Sequence, residues 1–547
     1  MFRFVTIKTT SYVKKNRNNP YLMKNTVTFI LSVVVPLIII TVVLRDASQE
    51  NKLLAELREE YSQPHIPSVD HSKHEVLQRD FDNPHEITAT CISCHTERGE
   101  ELLNSFHFTW EREDYIEGRG VTYLGKKNLL NNFCTGIFSN EATCNRCHAG
   151  FGWEDMDFDF SNQYNVDCLV CHDNTGTYEK LRGGAGYPEP GQDFQTIVQN
   201  VGRPTKTNCG YCHFHGGGGN NVKHGDLEEA LLTASRKVDV HMGVDGGNMD
   251  CVDCHTATNH VMKGRYYGVS SSNTRRATCE QCHTATPHLD QMLNTHVSKI
   301  ACQTCHIPEY AKVNATKMYW DWSTAGDLQD GKAFELFDSQ GNPIYQSIKG
   351  DAAWQTNVVP EYMWFNGTAD HFLLSDKVDT TEAFLRINTL FGSADDPESR
   401  IIPSKVHRGR QPYDPVYMSI LQAKLWDREA GKGALWLDLD WERALEEGMK
   451  YLDRPYSGQW DFVDTEMYLP VNHMVSPASE ALTCADCHTR NNSRMQFVEG
   501  VYIPGKTTHA TIDTMGVLLI ILSILGVATH AIIRYFSYKK MNNTSKA

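Results

Sequence analysis

Sixteen of the chain's 17 cysteines form eight Cys-x-x-Cys pairs, and a histidine follows each pair directly. The pairs are Cys91 and Cys94 with His95, Cys144 and Cys147 with His148, Cys168 and Cys171 with His172, and Cys209 and Cys212 with His213. Then come Cys251 and Cys254 with His255, Cys279 and Cys282 with His283, Cys302 and Cys305 with His306, and Cys484 and Cys487 with His488. In this pattern two thiols add to the two vinyl groups of a haem, and the next residue's imidazole reaches the iron. A zinc site built on Cys-x-x-Cys needs no histidine at the following position, and histidine is only 24 of 547 residues. The spacing therefore predicts eight covalently attached c-type haems (heme c). A chain loaded in this way packs around porphyrins. We expect a mainly α fold with short helices, extensive loops and little sheet, built around a stack of eight haems.

The two ends point to a membrane. Residues 26–44 form 19 residues without a charge, preceded by Lys8, Lys14, Lys15, Arg17 and Lys24. That length crosses a bilayer, and the basic flank places residues 1–25 in the cytoplasm. No small-x-small cleavage site follows, so 26–44 reads as an uncut signal anchor. A second apolar run, 514–533, precedes Arg534, Lys539 and Lys540 and returns the tail 534–547 to the cytoplasm. The region between would lie outside the inner membrane, on the periplasmic side, where haem attachment takes place. His530, inside the second run, reads most simply as an imidazole at the cytoplasmic edge. Net charge is −15, which argues against nucleic acid as a partner.

Seven motifs crowd into residues 45–310 as a heptahaem region. Residues 311–510 hold the eighth motif and eight tryptophans, from Trp320 to Trp460. There "DPVYMSILQAKLWDREAG" (414–431) and "DLDWERALEEGMKYLDR" (438–454) carry apolar residues at helical spacing and are expected to be helices.

A low-spin haem needs a second axial ligand. His65, His71 and His74 lie in a polar stretch near the first span. The histidines beside haem motifs are His85, His107, His241, His260, His288, His296 and His473, and these are the expected distal ligands. Seven candidates serve eight irons, so one iron lacks a distal imidazole. "CGYCHFHGGGGNNVKHGDLE" (209–228) offers Lys223 after four glycines. Spacing alone leaves two readings: a solvated loop lysine, or an amine aimed at an iron. An amine ligand must first lose its proton, from an ordinary pKa of about 10.4.

Three stretches, "CHFHGGGGNNVKHGDL", "NNFCTGIFSNEATCNRCHAG" and "SKVHRGRQPYDP", resemble the octahaem tetrathionate reductase family of cytochromes c. The likeness spans roughly residues 80–495. It implies that Lys223 ligates the iron of the second haem, at Cys144, Cys147 and His148, and that this haem is the catalytic one. It also places Cys134, the cysteine outside the eight pairs, in the catalytic pocket. A thiolate attacks S–S bonds, and a nearby iron and lysine would lower its pKa. The family can carry an aspartate where Asn220 stands, which would change proton supply here. His224, Asp226 and His407 are candidate proton donors or oxyanion partners. The implied activity is reduction of small oxidised sulfur or nitrogen compounds: tetrathionate, nitrite or hydroxylamine. The electrons would come from quinol or another cytochrome, and homo-oligomerisation is left open. The membrane spans are absent from the soluble family pattern. A non-catalytic electron conduit and a hydroxylamine-oxidoreductase-like enzyme are the alternatives. The latter family's haem-linked tyrosine has no counterpart signal at Tyr178 or Tyr187.

Overall fold

Three of the eight motifs start on a helix capping box. Asp250, Thr278 and Thr483 each stand immediately before a motif and close a capping box with the residue three places on, Asp253, Gln281 and Asp486. One helical turn then places the two cysteines, at i and i+3, on the same side, as two vinyl groups require. Longer helices in this region obey the same chemistry. Helix α1 (Pro84–Cys94) has proline in its first turn, and Asn83 accepts a hydrogen bond from the Glu86 amide. Helix α2 (Lys206–His213) starts at Thr205 and Asn208, and helix α3 (Gln291–His296) is capped by Asp290.

This computed structural model describes residues 33–38, 40–41, 68–134, 136–264, 274–503 and 507–544. The chain divides into two compact units, 1–64 and 65–547. In the first unit the described residues, 33–38 and 40–41, are helical, and the rest of the expected span 26–44 lies outside the described residues. In the second, the heptahaem and Trp-rich regions belong to one body.

A small hairpin, β1 (Arg112–Ile116) and β2 (Gly120–Leu124), lies between the first two motifs. Past residue 315 the chain turns to sheet. The strands are β3 (Thr316–Asp321), β4 (Glu335–Phe337), β5 (Pro343–Gln346), β6 (Gly350–Gln355), β7 (Glu361–Phe365), β8 (Leu385–Arg386), β9 (Arg400–Asp414), β10 (Ser419–Ile420) and β11 (Asp461–Pro470). They form a nine-stranded sheet in the order β8–β11–β9–β3–β6–β5–β4, with β7 and β10 also paired to β9. Strand β9 is buried on both faces along most of its length. It runs antiparallel to β11, with His407 opposite Met467, and parallel to β3, with Arg408 opposite Tyr319. A core of Trp320, Trp322, Leu421, Leu425, Leu435, Trp441 and Leu445 packs against it.

The expectation of a mainly α fold is thereby corrected: helix accounts for 30% and strand for 19%. Aromatic and apolar residues on consecutive positions favour strands buried on both faces. Of the two expected helices, the second forms as α4 (Trp441–Tyr451), capped by Asp440 and burying Trp441, Ala444, Leu445, Gly448 and Met449. The first, 414–431, does not form. Its Leu421–Leu425 segment is buried nearly all round and donates to carbonyls elsewhere, Leu421 to Pro412 and Lys424 to Ala444. Tertiary hydrogen bonds there replace the helical ladder. Helix α5 (Ala510–Thr544) is long and apolar enough to cross a membrane over Ala510–Met541, at a mean hydropathy of 2.5. It extends the expected 514–533 at both ends.

Candidate functional site

Seven motif histidines face a second imidazole. The ring centres of His71 and His95 are 6.3 Å apart, those of His107 and His213 6.2 Å, and those of His172 and His260 6.5 Å. His241 and His283 stand at 6.2 Å, His255 and His473 at 6.2 Å, His288 and His306 at 6.1 Å, and His296 and His488 at 6.1 Å. Two metal–imidazole bonds of about 2.0–2.1 Å, plus about 1.1 Å from each nitrogen to its ring centre, require about 6.3 Å. The second nitrogens are arranged to match. Nδ1 of His172, His255 and His296 meets the carbonyl oxygens of Gly202, Lys263 and Met292 at 2.8–2.9 Å. Nδ1 of His260 meets Glu101 at 2.9 Å, and that of His473 meets Asp226 at 3.1 Å. Such contacts fix the tautomer and leave Nε2 for a metal.

Six of the seven expected distal histidines stand opposite a motif histidine. His85 does not: its ring nitrogens meet Tyr164 O at 2.9 Å and Tyr187 Oη at 3.1 Å, and its ring stands edge-on to Phe151. His71 takes the place against His95. It sits on a short turn capped by Asp70, far enough before the first motif that spacing gave no hint of it.

His148 is the exception among the motif histidines. Its ring is fully buried among Phe108 at 4.9 Å, Trp153 at 5.1 Å and Trp110 at 5.5 Å. Among the described residues no second imidazole faces it. The loop after α2 carries Lys223. Gly217 and Gly218 adopt φ of +82° and +93°, and a Cβ on Gly216 would touch the Lys223 side chain at 3.4 Å. Glycine is what that reversal and that approach demand. The loop is clamped from β9: Lys405 Nζ donates to the carbonyls of Val222 and Lys223, both at 2.9 Å, and to Thr316 Oγ1 at 2.6 Å. Burial, then the charge of Lys126, lowers the Lys223 amine to about 8. An amine in that range deprotonates readily enough to bind a metal.

The other expected pocket residues divide. Asp226 serves His473, the histidine that faces His255: its carboxylate accepts from the Asn472 and His473 amides at 2.8 and 3.0 Å as well as from the His473 ring. Burial opposes its ionisation, but the His473 hydrogen bond holds it at about 2, so it is no proton donor near neutral pH. Asn220 accepts from the Glu229 amide at 2.9 Å and braces the loop. Burial, reinforced by Lys223, lowers His224 to about 3, so its ring is neutral at physiological pH. His407 is fully buried, tilted against Phe133 at 4.2 Å, and neither ring nitrogen has a hydrogen-bond partner. Cys134 follows Phe133, its amide held by Asn131 Oδ1 at 3.0 Å. The expected depression of its thiol is reversed: burial pushes it up, against the pull of Lys349, Lys317, Lys126 and Lys223.

The attachment sites themselves form a run. The Cys91 and Cys168 thiols are close neighbours, as are those of Cys209 and Cys251, Cys279 and Cys302, and Cys147 and Cys212. Cys171 lies within electrostatic reach of Cys209, Cys254 of Cys282, and Cys305 of Cys484. Motifs one, three, four, five, six, seven and eight thus follow one another in space, with motif two branching from motif four.

Comparison with known proteins agrees with this layout. The family model for bacterial cytochrome c matches residues 317–491. An uncharacterized protein of Archaeoglobus fulgidus is 26% identical, over 38% of this chain and 82% of its own length. The crystal structure of the octahaem cytochrome c from Shewanella oneidensis is 41% identical, covers 80% of this chain and 97% of its own, and superposes with a TM-score of 0.73. The chain belongs to the multihaem cytochrome c family. As a cytochrome of this kind it carries covalently bound haem c and works in electron transfer.

The cytochrome's residues fit that group. Cysteine pairs and seven imidazole pairs at metal-bridging spacing, five of these histidines with Nδ1 held by an oxygen, are the donor set of six-coordinate haem iron. At the second motif it is His148 Nε2 that meets an oxygen, that of Phe108, and Nδ1 has no partner. Sequence reasoning missed His71, Lys405 and a set of lysines, Lys126, Lys317 and Lys349. Lys405 lay within the quoted "SKVHRGRQPYDP" stretch, two residues before His407. A strand period of two would have put both on one face.

Proposed function

We propose that this cytochrome is a membrane-anchored, exported reductase with eight haems. Seven are held by paired imidazoles and the eighth, at Cys144, Cys147 and His148, by Lys223. The carrying observation is that His148 has no facing imidazole among the described residues, while a glycine-shaped, Lys405-clamped loop presents an amine of lowered pKa. The substrates are small oxidised sulfur or nitrogen compounds, with tetrathionate, nitrite and hydroxylamine the candidates. Helix α5 and the 26–44 segment anchor the chain in the inner membrane, with the haem-bearing region on the periplasmic side. Quinol or another cytochrome is the electron donor, feeding the run at its motif-eight end, which precedes α5.

The haems supply electrons one at a time. Cys134 supplies the nucleophile in the sulfur reaction. Its thiol loses a proton to solvent and attacks an inner sulfur of tetrathionate. A Cys134–S–S–SO3⁻ adduct forms and one thiosulfate leaves. Two electrons and one proton then cleave the new S–S bond, releasing the second thiosulfate and regenerating the thiol. The neighbouring lysines favour the thiolate over the thiol at the moment of attack, working against the burial that otherwise keeps the sulfur protonated. Lys405 and the loop glycines hold Lys223 in place, and His407 offers two unpaired ring nitrogens beside Phe133.

Electron paramagnetic resonance of the oxidised protein and a Lys223→Ala variant test this reading. We expect one haem signal distinct from seven paired-imidazole signals, and a loss of tetrathionate and nitrite turnover of about a hundredfold or more in the variant, with all haems still attached by mass. Eight paired-imidazole signals, or turnover that survives Lys223→Ala, would make the continuous run of haem sites a conduit and sink the reductase reading.

A further inference from the structure

The tryptophan cluster that Cys134 packs against, with Trp320, Trp354 and Trp436, also carries Lys317 and Lys349 over its rings, and Lys126 acts on the same thiol. The four charges that act most strongly on its thiol are Lys349, Lys317, Lys126 and Lys223, and no carboxylate stands among them. Three of these stand over tryptophans. Lys126 Nζ lies 3.9 Å from the Trp110 ring centre, Lys317 Nζ 3.4 Å from Trp320 and 5.1 Å from Trp354, and Lys349 Nζ 5.9 Å from Trp436. Among the described residues none of these three ammonium groups has a hydrogen bond or an ion pair. They are graded in depth: Lys126 is exposed, Lys349 half-buried, and Lys317 only 4% exposed. A buried polar group without a partner carries a cost that a ligand removes. Here the same neighbourhood also holds His407, fully buried, with both ring nitrogens unpaired and with Lys317 within electrostatic reach. In a protein of net charge −15 this is a local excess of positive charge: burial, then the charge of Lys349, lowers the Lys317 amine to about 7, and a bound anion would favour its charged form.

We infer that Lys126, Lys317 and Lys349 form an anion subsite beside Cys134 that binds the end of the substrate remote from the bond being broken. It therefore selects a small molecule carrying two separated negative charges over a singly charged or neutral one. This deepens the reductase reading and rests on it for the reaction. The binding claim stands on the lysines alone. The tryptophan faces hold the ammonium groups in place without neutralising them. Exposed Lys126 meets the anion first, and Lys349 and the deeper Lys317 hold its remote sulfonate while an inner sulfur stands at Cys134. Ligand binding relieves the mutual repulsion of the lysines, so the preference for a second charge is built into the empty site.

Calorimetric titration of the oxidised holoprotein with thiosulfate, a dianion, tests the subsite without turnover. The Kd should rise about tenfold in Lys349→Gln and in Lys317→Gln, and about threefold in Lys126→Gln. In the same variants KM for tetrathionate should rise several times more than KM for hydroxylamine. If Lys317→Gln does not fold, Lys349→Gln and Lys126→Gln still decide the matter. Wild-type thiosulfate binding in folded Lys349→Gln and Lys126→Gln proteins overturns the inference. So does a shift in haem midpoint potential without a change in thiosulfate affinity, because the lysines would then serve haem propionates. Loss of thiosulfate affinity in Lys349→Gln, combined with turnover that survives Lys223→Ala, would keep the subsite and discard the lysine-ligated haem.

Discussion

Two stretches of one body solve the packing problem in different ways. From residue 68 to about 310 the chain, over its described residues, is mostly short helices, caps and turns, with histidines set in pairs at the distance an iron needs. From 316 to 470 it is a nine-stranded sheet with a tryptophan core. In the first, apolar packing is split into small clusters, such as Leu77, Ile87, Leu169 and Ile197, between the paired histidines. In the second, ordinary burial does the work, and its long strand reaches across to brace the loop of the first. The catalytic candidates lie at that junction, because the haem loop alone has no rigid element to hold an amine in place.

Severing the junction should have the largest effect. Lys405→Met removes the buried amine that donates to the Val222 and Lys223 carbonyls and to Thr316 Oγ1. It should destabilise the protein by about 2–5 kcal/mol in denaturant unfolding and abolish the distinct eighth haem signal while the other seven persist. Gly217→Ala probes the same loop from the haem side. A Cβ there meets Val222 Cγ1 at 2.9 Å on a backbone with φ of +82°, so a loss of about 1–3 kcal/mol is expected.

A third test lies between the two regions. Glu141, just before the second motif, accepts a hydrogen bond from Tyr451 of α4 at 2.8 Å, and burial raises its carboxyl to about 7 from 4.5. The native state therefore holds the extra proton between those values. The stability this contributes is complete below about pH 4.5 and is lost as pH rises through 7. Glu141→Gln should flatten that decline, gaining on the order of 1–2 kcal/mol over the parent between pH 5 and pH 8 in thermal melts. The smallest effect sharpens the ligand assignment. His85→Ala should leave every low-spin haem intact in the absorption spectrum, whereas His71→Ala should convert one haem to high spin.

Local chemistry was legible wherever the residues that act together are close in sequence. Capped Cys-x-x-Cys-His motifs, histidines beside a motif such as His260 and His288, α4 and the apolar run inside α5 were all readable, because caps, covalent spacing and hydropathy act over a few residues. His85 was misread because proximity to a motif does not say which ring faces which. Asp226, read as a candidate proton donor or oxyanion partner, is tied to His473, a partner 247 positions along the chain.

By itself the sequence determined how many haem-attachment motifs there are, where the cysteines and proximal histidines lie, and that Lys223 follows a run of glycines. These are covalent or nearest-neighbour facts. Only the tertiary structure decided that His71 rather than His85 faces His95, that Lys405 clamps the Lys223 loop, and that four lysines act on a thiol whose pKa burial raises. Each of those depends on strands and loops brought together from distant parts of the chain, where desolvation and long-range hydrogen bonds outweigh anything a neighbouring residue imposes.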